Sequence, residues 1–369
     1  MQKRNILLIL LIIPMVFSLI GCSKSEDTIS NTDNLKSKGE TKNELDEKKS
    51  DSEDENEQDL LNNKEDVPKK EGVPSPLSGL YGPEEKIKRR PVAVMIDNHP
   101  RARWQAGLSK AEIIYEFLVE GPYTRYMAMF LKNDPKHIGP VRSARPYFIT
   151  TSLEYDAVYV HCGGSQQALS DIKKLRLADI DALASKADVF WRYYKTGKRA
   201  PNNLYTNIDV IRRTQKERRY RNKGEFEGLK FNEKDIQIDG IKANEVIIKY
   251  FPNNVTKYVY DEEQKVYKRY KDGKLHIDEY NNEEIIAKNI IIQEAKTRVI
   301  DNKGRLSIDL IGKGKGMYIT NGKAIEITWE KDTKRSKTKY IDKNGNEIRL
   351  NPGVTWIQVT KANPNITIK

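Results

Sequence analysis

Pro91-Val92-Ala93-Val94-Met95-Ile96 carries no polar side chain and is stopped by Asp97-Asn98-His99-Pro100. An apolar run of this length, ended by turn-forming residues, predicts a buried strand. It places the opening of a mixed-sheet, layered α/β or α+β domain here. The polar cluster at its carboxyl end, Asp97 and Asn98, sits where open α/β sheets tend to place their sites.

Working downstream, Ile113–Glu120 and Tyr123–Leu131 are rich in β-branched and aromatic residues and flank Gly121-Pro122, which predicts a hairpin. A two-residue loop pairs Glu120 with Tyr123 and Leu118 with Arg125. Glu116, Leu118, Glu120 and Arg125 then share one face. Arg125 either supports the hairpin as an ion pair or is held by carboxylates to face a ligand. In Ile138–Pro146 both Gly139 and Arg145 precede a proline, so both are expected to be extended, and Pro146 suits the first turn of a helix reaching about Glu154. Arg142, Ser143 and Arg145 in that constrained loop can grip a carboxylate or phosphate, or tie the loop to the fold.

Ala157–Val160 predicts a further strand, His161-Cys162-Gly163-Gly164-Ser165 a loop, and Gln166–Leu175 a helix. Strand, Gly163, Gly164, Ser165, helix is a geometry that offers backbone N–H groups to an anion, and Ser165 serves equally as a simple N-cap. His161 titrates near neutral pH or is a satisfied structural histidine. Trp191–Asn203 is aromatic and basic, suited to a glycan or to core packing.

Upstream, Lys3 and Arg4 precede a largely apolar run at Ile6–Ile20, too short for a spanning helix and fitting a secretory signal. It ends Leu19-Ile20-Gly21-Cys22, which resembles the lipobox in which the cysteine becomes the acylated (palmitate-bearing) first residue. Cys162 is then the one remaining thiol, so no intrachain disulfide forms. Residues 23–72 hold 16 acidic and 9 basic residues and no aromatic one. Such a segment buries too little apolar surface to fold and is expected to be a tether spanning about 40 Å or more.

The 369-residue chain has a formal charge of +12. It divides unevenly: the tether carries −7 and residues 73–369 carry +17. Beyond the Lys/Arg-dense Arg212–Lys223, alternating segments from Val246 to Val359 predict strands, with turns at Asp272-Gly273, Asn321-Gly322 and Asn344-Gly345. Gly312-Lys-Gly-Lys-Gly316 is expected to be a basic turn, and Trp329 and Trp356 core anchors. The expected organisation is a signal peptide at 1–21, a tether at 22–75, a mixed α/β domain at 76–225 and a β-rich domain at 226–369.

Three blocks, Pro91-Val-Ala-Val-Met-Ile-Asp-Asn98, Ile138-Gly-Pro-Val-Arg-Ser-Ala-Arg145 and Tyr159-Val-His-Cys-Gly-Gly-Ser165, resemble the signature blocks of the YerB-like lipoproteins, a bacterial family of unknown function. Thr328-Trp329 and Asn351-Pro-Gly-Val-Thr-Trp356 resemble that family's second domain. The likeness covers about residues 75–365. It implies a two-part extracytoplasmic protein and supplies no catalytic residues.

The favoured function is a binding or scaffold lipoprotein on the outer face of a Gram-positive cell membrane. It meets an anionic wall polymer or an acidic envelope protein, and its compartment leaves nucleic acid out. No cofactor or metal is called for, since HExxH, GxSxG, SxxK and Cys/His metal spacings are absent. The alternative is an envelope enzyme in which Asp97, Glu116, Glu120 and His161 supply an acid–base pair or metal ligands while Arg142 and Arg145 hold an anion.

Overall fold

In the computed structural model, which describes residues 71–369, the opening run forms β1 (Val92–Asp97). The leader run, Cys22 and the segment up to residue 70 lie outside the described residues. Val92, Val94 and Ile96 of β1 enter one core, and Ala93 and Met95 enter another. Period-2 alternation divides neighbours between the two faces. Because both faces are covered, the run has no polar position.

The chain continues through β2 (Ile113–Leu118), β3 (Thr124–Phe130), α1 (Pro146–Glu154), β4 (Val158–His161), α2 (Gln166–Lys174), β5 (Asp179–Asp181) and α3 (Ile208–Glu217). The rest is nearly all strand. β6 (Ile241–Lys242), β7 (Glu245–Phe251), β8 (Asn254–Asp261), β9 (Val266–Lys271), β10 (Lys274–Leu275) and β11 (Ile286–Ala287) come first. β12 (Asn289–Ala295), β13 (Gly312–Thr320), β14 (Lys323–Lys331), β15 (Lys339–Ile341), β16 (Thr355–Lys361) and β17 (Asn365–Ile368) follow. This is the expected mixed-sheet α+β architecture with a β-rich second half.

An 11-stranded sheet runs β6-β14-β13-β12-β16-β2-β3-β1-β4-β5, with β15 on β14. A second sheet of six strands runs β10-β9-β8-β7-β17, with β11 on β9. Both halves of the chain contribute to the large sheet. They join where β2 and β16 pair in parallel, from Ile113↔Thr355 to Phe117↔Val359. One core packs the large sheet on the six-stranded one, through Val94, Ile114 and Tyr126 against Val246, Tyr258 and Tyr267. The other packs α1 and α2 on the opposite face, through Met95, Phe117 and Met127 against Phe148, Leu153 and Ile172. Trp356 and Trp329 are buried anchors, one in each core.

Two local expectations are corrected. The β2–β3 hairpin pairs Leu118 with Thr124 and Phe117 with Arg125. Val119 N donates to Tyr123 O at 3.0 Å, so the loop holds three residues, Glu120-Gly121-Pro122, rather than two. The register moves by one residue, which sends Arg125 to the face opposite Glu116. The second correction concerns Gly312–Gly316, which is the start of β13 and not a turn. A Cβ on Gly316 would lie 2.4 Å from Ile292 O, and one on Gly314 2.6 Å from Trp329 Nε1. These glycines allow close approach inside a sheet. The expected turns at Asp272-Gly273 and Asn321-Gly322 close β9–β10 and β13–β14.

Candidate functional site

At the carboxyl end of β1, Asp97 and Asn98 are both buried. Asp97 Oδ1 accepts from His99 N at 3.1 Å and Oδ2 from Asn202 Nδ2 at 2.7 Å. Arg142 Nε lies 3.0 Å from the same Oδ2. The Arg142 backbone is clamped between strands: its N donates to Met95 O at 2.9 Å, and its O accepts from Cys162 N at 3.0 Å. Its side chain keeps 28% exposure.

The other two arginines tie the loop to the fold. Arg125 is buried, and its Nη1 donates to Ser143 O at 2.7 Å. Arg145 forks onto Glu120, with Nε to Oε1 at 2.5 Å and Nη2 to Oε2 at 2.9 Å. Glu120 thus pairs with Arg145, not with Arg125.

Glu116 faces no solvent. Its Oε1 accepts from Thr124 Oγ1 at 2.7 Å and from Asn98 Nδ2 at 3.4 Å. Its Oε2 accepts from Arg269 Nη2 at 2.7 Å, and Lys271 Nζ stands 3.8 Å from Oε1. Burial pushes the Glu116 pKa upward, but Arg269 and Lys271 override it and hold the carboxyl below its ordinary value. Glu116 is therefore the counter-ion of a buried cation and is closed to a ligand. Arg269 also lies 4.3 Å from the ring of Trp356 and 5.2 Å from that of Tyr126.

Arg269 extends the network to His276. Its Nη1 is 2.6 Å from Nδ1, and His276 Nε2 is 2.8 Å from Gln105 Oε1. Arginine is only a donor and the amide oxygen only an acceptor. Nδ1 must accept and Nε2 must donate, so the imidazole is neutral. Gln105 Nε2 closes the circuit on Asp97 O at 2.9 Å.

The loop after β4 is also occupied. His161 Nδ1 meets Gly163 O at 2.9 Å and Nε2 meets Asp179 Oδ2 at 3.3 Å. Gly163 N donates to Asp181 Oδ1 at 2.7 Å, and Ser165 N to Ala144 O at 3.3 Å. Ser165 Oγ caps α2 by accepting from Ala168 N at 3.2 Å. The anion-loop reading of Gly163, Gly164 and Ser165 therefore gives way to capping. Of the six groups that the enzyme alternative combined, Asp97 pairs with Arg142 and Glu120 with Arg145, Glu116 reaches Asp97 only through intervening side chains, and His161 bonds elsewhere.

Sequence reasoning missed Gln105, Asn202, Arg269, Lys271 and His276. Alternation along β9 does put Tyr267, Arg269 and Lys271 on one face, but their charge suggests solvent. That face is the buried one. The aromatic stretch serves packing: Tyr193 lies 5.4 Å from Tyr205 and Trp191 5.8 Å from His137. Lys198 ends on Glu279 and Trp104 O.

A sheet shared by two chain halves, with a buried polar centre at their junction, defines a two-part α+β family without an assigned activity. Residues 77–221 match the N-terminal domain, and residues 246–357 the C-terminal domain, of the family described as protein of unknown function DUF3048. The chain belongs to this family. It is 37% identical over 288 residues to the YerB protein of Bacillus subtilis (strain 168), designated a lipoprotein, covering 77% of this chain and 85% of that one. The crystal structure of Bacillus subtilis YerB is similar with a TM-score of 0.73 at 34% identity, covering 80% of this chain and 99% of the other.

Proposed function

We propose that the protein is a lipid-anchored binding module of the cell envelope, attached through Cys22 and meeting an anionic wall polymer through its basic body. The observation that carries this reading is the division of charge, −7 on residues 23–72 and +17 on residues 73–369. An acidic tether holds the body away from an anionic surface, while the body attracts polyanions. The lipoprotein designation of the relative supports the anchor. The strand-end geometry favours binding over acid–base chemistry, because Asp97 and Glu116 are satisfied internally while the Arg142 side chain stays partly exposed. An acidic envelope protein is the competing partner.

Co-sedimentation of the full-length protein with purified cell walls tests the reading. Retention on native walls, and its loss on walls stripped of phosphate polymer, is expected. Equal retention on both would move the contact to a protein or to the glycan. Cys22→Ala is expected to release the protein from the membrane fraction without altering wall binding.

A further inference from the structure

The Lys/Arg-dense stretch has no role in the centre described above. Part of it, Arg219-Tyr220-Arg221, borders a surface cleft of about 300 Å³. Arg90, Arg176 and Arg335 bring the lining to five arginines, and Asp156 is its one carboxylate.

Three helices end at this cleft. Beyond α1, Ala157 N donates to Ser152 O at 3.2 Å and Asp156 N to Leu153 O at 3.2 Å. Beyond α2, Leu177 N donates to Ile172 O at 3.1 Å and Arg176 N to Lys173 O at 3.2 Å. Beyond α3, Tyr220 N donates to Gln215 O and Arg219 N to Lys216 O, both at 3.0 Å. Each pair of bonds makes the C-terminal turn whose central residue takes a positive φ and is usually glycine. Here the three central residues are Asp156 (φ 46°), Arg176 (φ 53°) and Arg219 (φ 56°). A bulky side chain at such a φ is strained relative to glycine. All three line the same opening.

Capping of a helix end is the simplest use of an arginine here, and neither Arg176 nor Arg219 performs it. At the end of α2 Arg335 does so, its Nη2 donating to Leu175 O at 2.9 Å. Arg176 and Arg219 make no side-chain hydrogen bond or ion pair among the described residues. Asp156 is already shared, with Oδ1 at 2.7 Å from Arg90 and Oδ2 at 2.7 Å from Arg221. Each helix end adds about half a negative charge. Together with Asp156, these ends offset roughly half of the five cations, leaving a surplus of about two and a half positive charges. Ser152 also lines the cleft, is 1% exposed, and its Oγ has no hydrogen-bond partner. Such orphaned buried hydroxyls are rare. Guanidinium forks engage phosphate oxygens two at a time, and a phosphoryl group carries the charge that this surplus matches better than a single carboxylate does.

We propose that this cleft binds a phosphoryl group, held by the free guanidinium groups of Arg176 and Arg219 with Ser152 as a further donor. The site lies outside the strand-end candidates and deepens the anion-binding reading, on which its polymer version rests. A free phosphate ester and the phosphodiester units of a wall polymer present the same non-bridging oxygens, the ester with nearly two charges and each diester unit with one, so neighbouring units together supply the charge.

The test titrates the full-length protein with inorganic phosphate and, separately, with a soluble poly(glycerol phosphate) oligomer, reading affinity by calorimetry. Three proteins are compared: wild type, R176N/R219N, and K313Q/K315Q as a charge-matched control. Asparagine tolerates positive φ, so R176N/R219N is expected to melt no lower than wild type while losing at least tenfold in affinity for its ligand. The lysine control is expected to keep that affinity. Tighter binding of the oligomer assigns the polymer as source, and tighter binding of phosphate assigns a free ester. Equal affinity in R176N/R219N and wild type overturns the site while leaving polymer binding by the body intact. Phosphate binding without oligomer binding keeps the cleft and removes the polymer reading.

Discussion

The Glu116 carboxylate meets the Arg269 guanidinium at 2.7 Å across 153 positions of sequence, and neither side chain reaches solvent. Glu116 belongs to the large sheet and Arg269 to the six-stranded one, so the pair pins the two sheets together. Breaking a buried pair from one side strands a charge, which costs about 3–5 kcal/mol. Arg269→Met is expected to lose stability of that order in urea unfolding. Glu116→Gln/Arg269→Met is expected to recover part of it, and an unchanged midpoint in the single variant would refute the pinning role.

His276 couples this centre to pH. Burial, with Arg269, Arg103 and Lys271 close by, holds its pKa well below the ordinary 6.5. The unfolded chain takes up a proton near that value and the native protein does not. The stabilisation is therefore complete above about pH 6.5 and declines below it, by up to about 1.4 kcal/mol per pH unit. His276→Gln removes this proton uptake. The stability gap between wild type and variant is expected to narrow from pH 7 to pH 5, and a gap independent of pH would contradict the assignment.

The glycines of β13 are expected to resist substitution. Gly316→Ala drives a Cβ to 2.4 Å from Ile292 O. Overpacking of this kind costs about 1–3 kcal/mol. A thermal midpoint equal to that of wild type would show that β12 and β13 separate easily.

The two loop arginines are expected to part company. Arg145→Ala frees Glu120, a partly exposed pair worth no more than about 1 kcal/mol after screening, and is expected to act on stability alone. Arg142→Ala is expected to weaken wall binding with a smaller effect on melting. Equal wall binding by Arg142→Ala and wild type would remove Arg142 from the contact surface.

The legible parts of this fold were those set by local pattern. β1 is visible because burial on both faces leaves no polar position. Helix α1 is visible because Pro146 sets its start. The β2–β3 register was not legible, since Gly121-Pro122 fits a loop of two or three residues equally well and one residue reverses the faces. The join of β2 to β16 pairs segments more than 200 positions apart, and neither carries a local mark of its partner. Arg269 and His276 were hidden for the same reason: the Arg269 charge is met by Glu116 and the neutral His276 ring donates to Gln105, both in the other half of the chain. Arg176 and Arg219 occupy a position where the pattern leads one to expect glycine, so their convergence appears only once three helix ends meet.

The most direct measurement is the affinity of the full-length protein for purified wall phosphate polymer across a sodium chloride series. Binding of a polyanion by a +17 body releases counterions, so affinity is expected to fall steadily with salt, by tenfold or more between about 50 and 300 mM. No binding at the lowest salt, or an affinity that salt leaves unchanged, would contradict the proposed function.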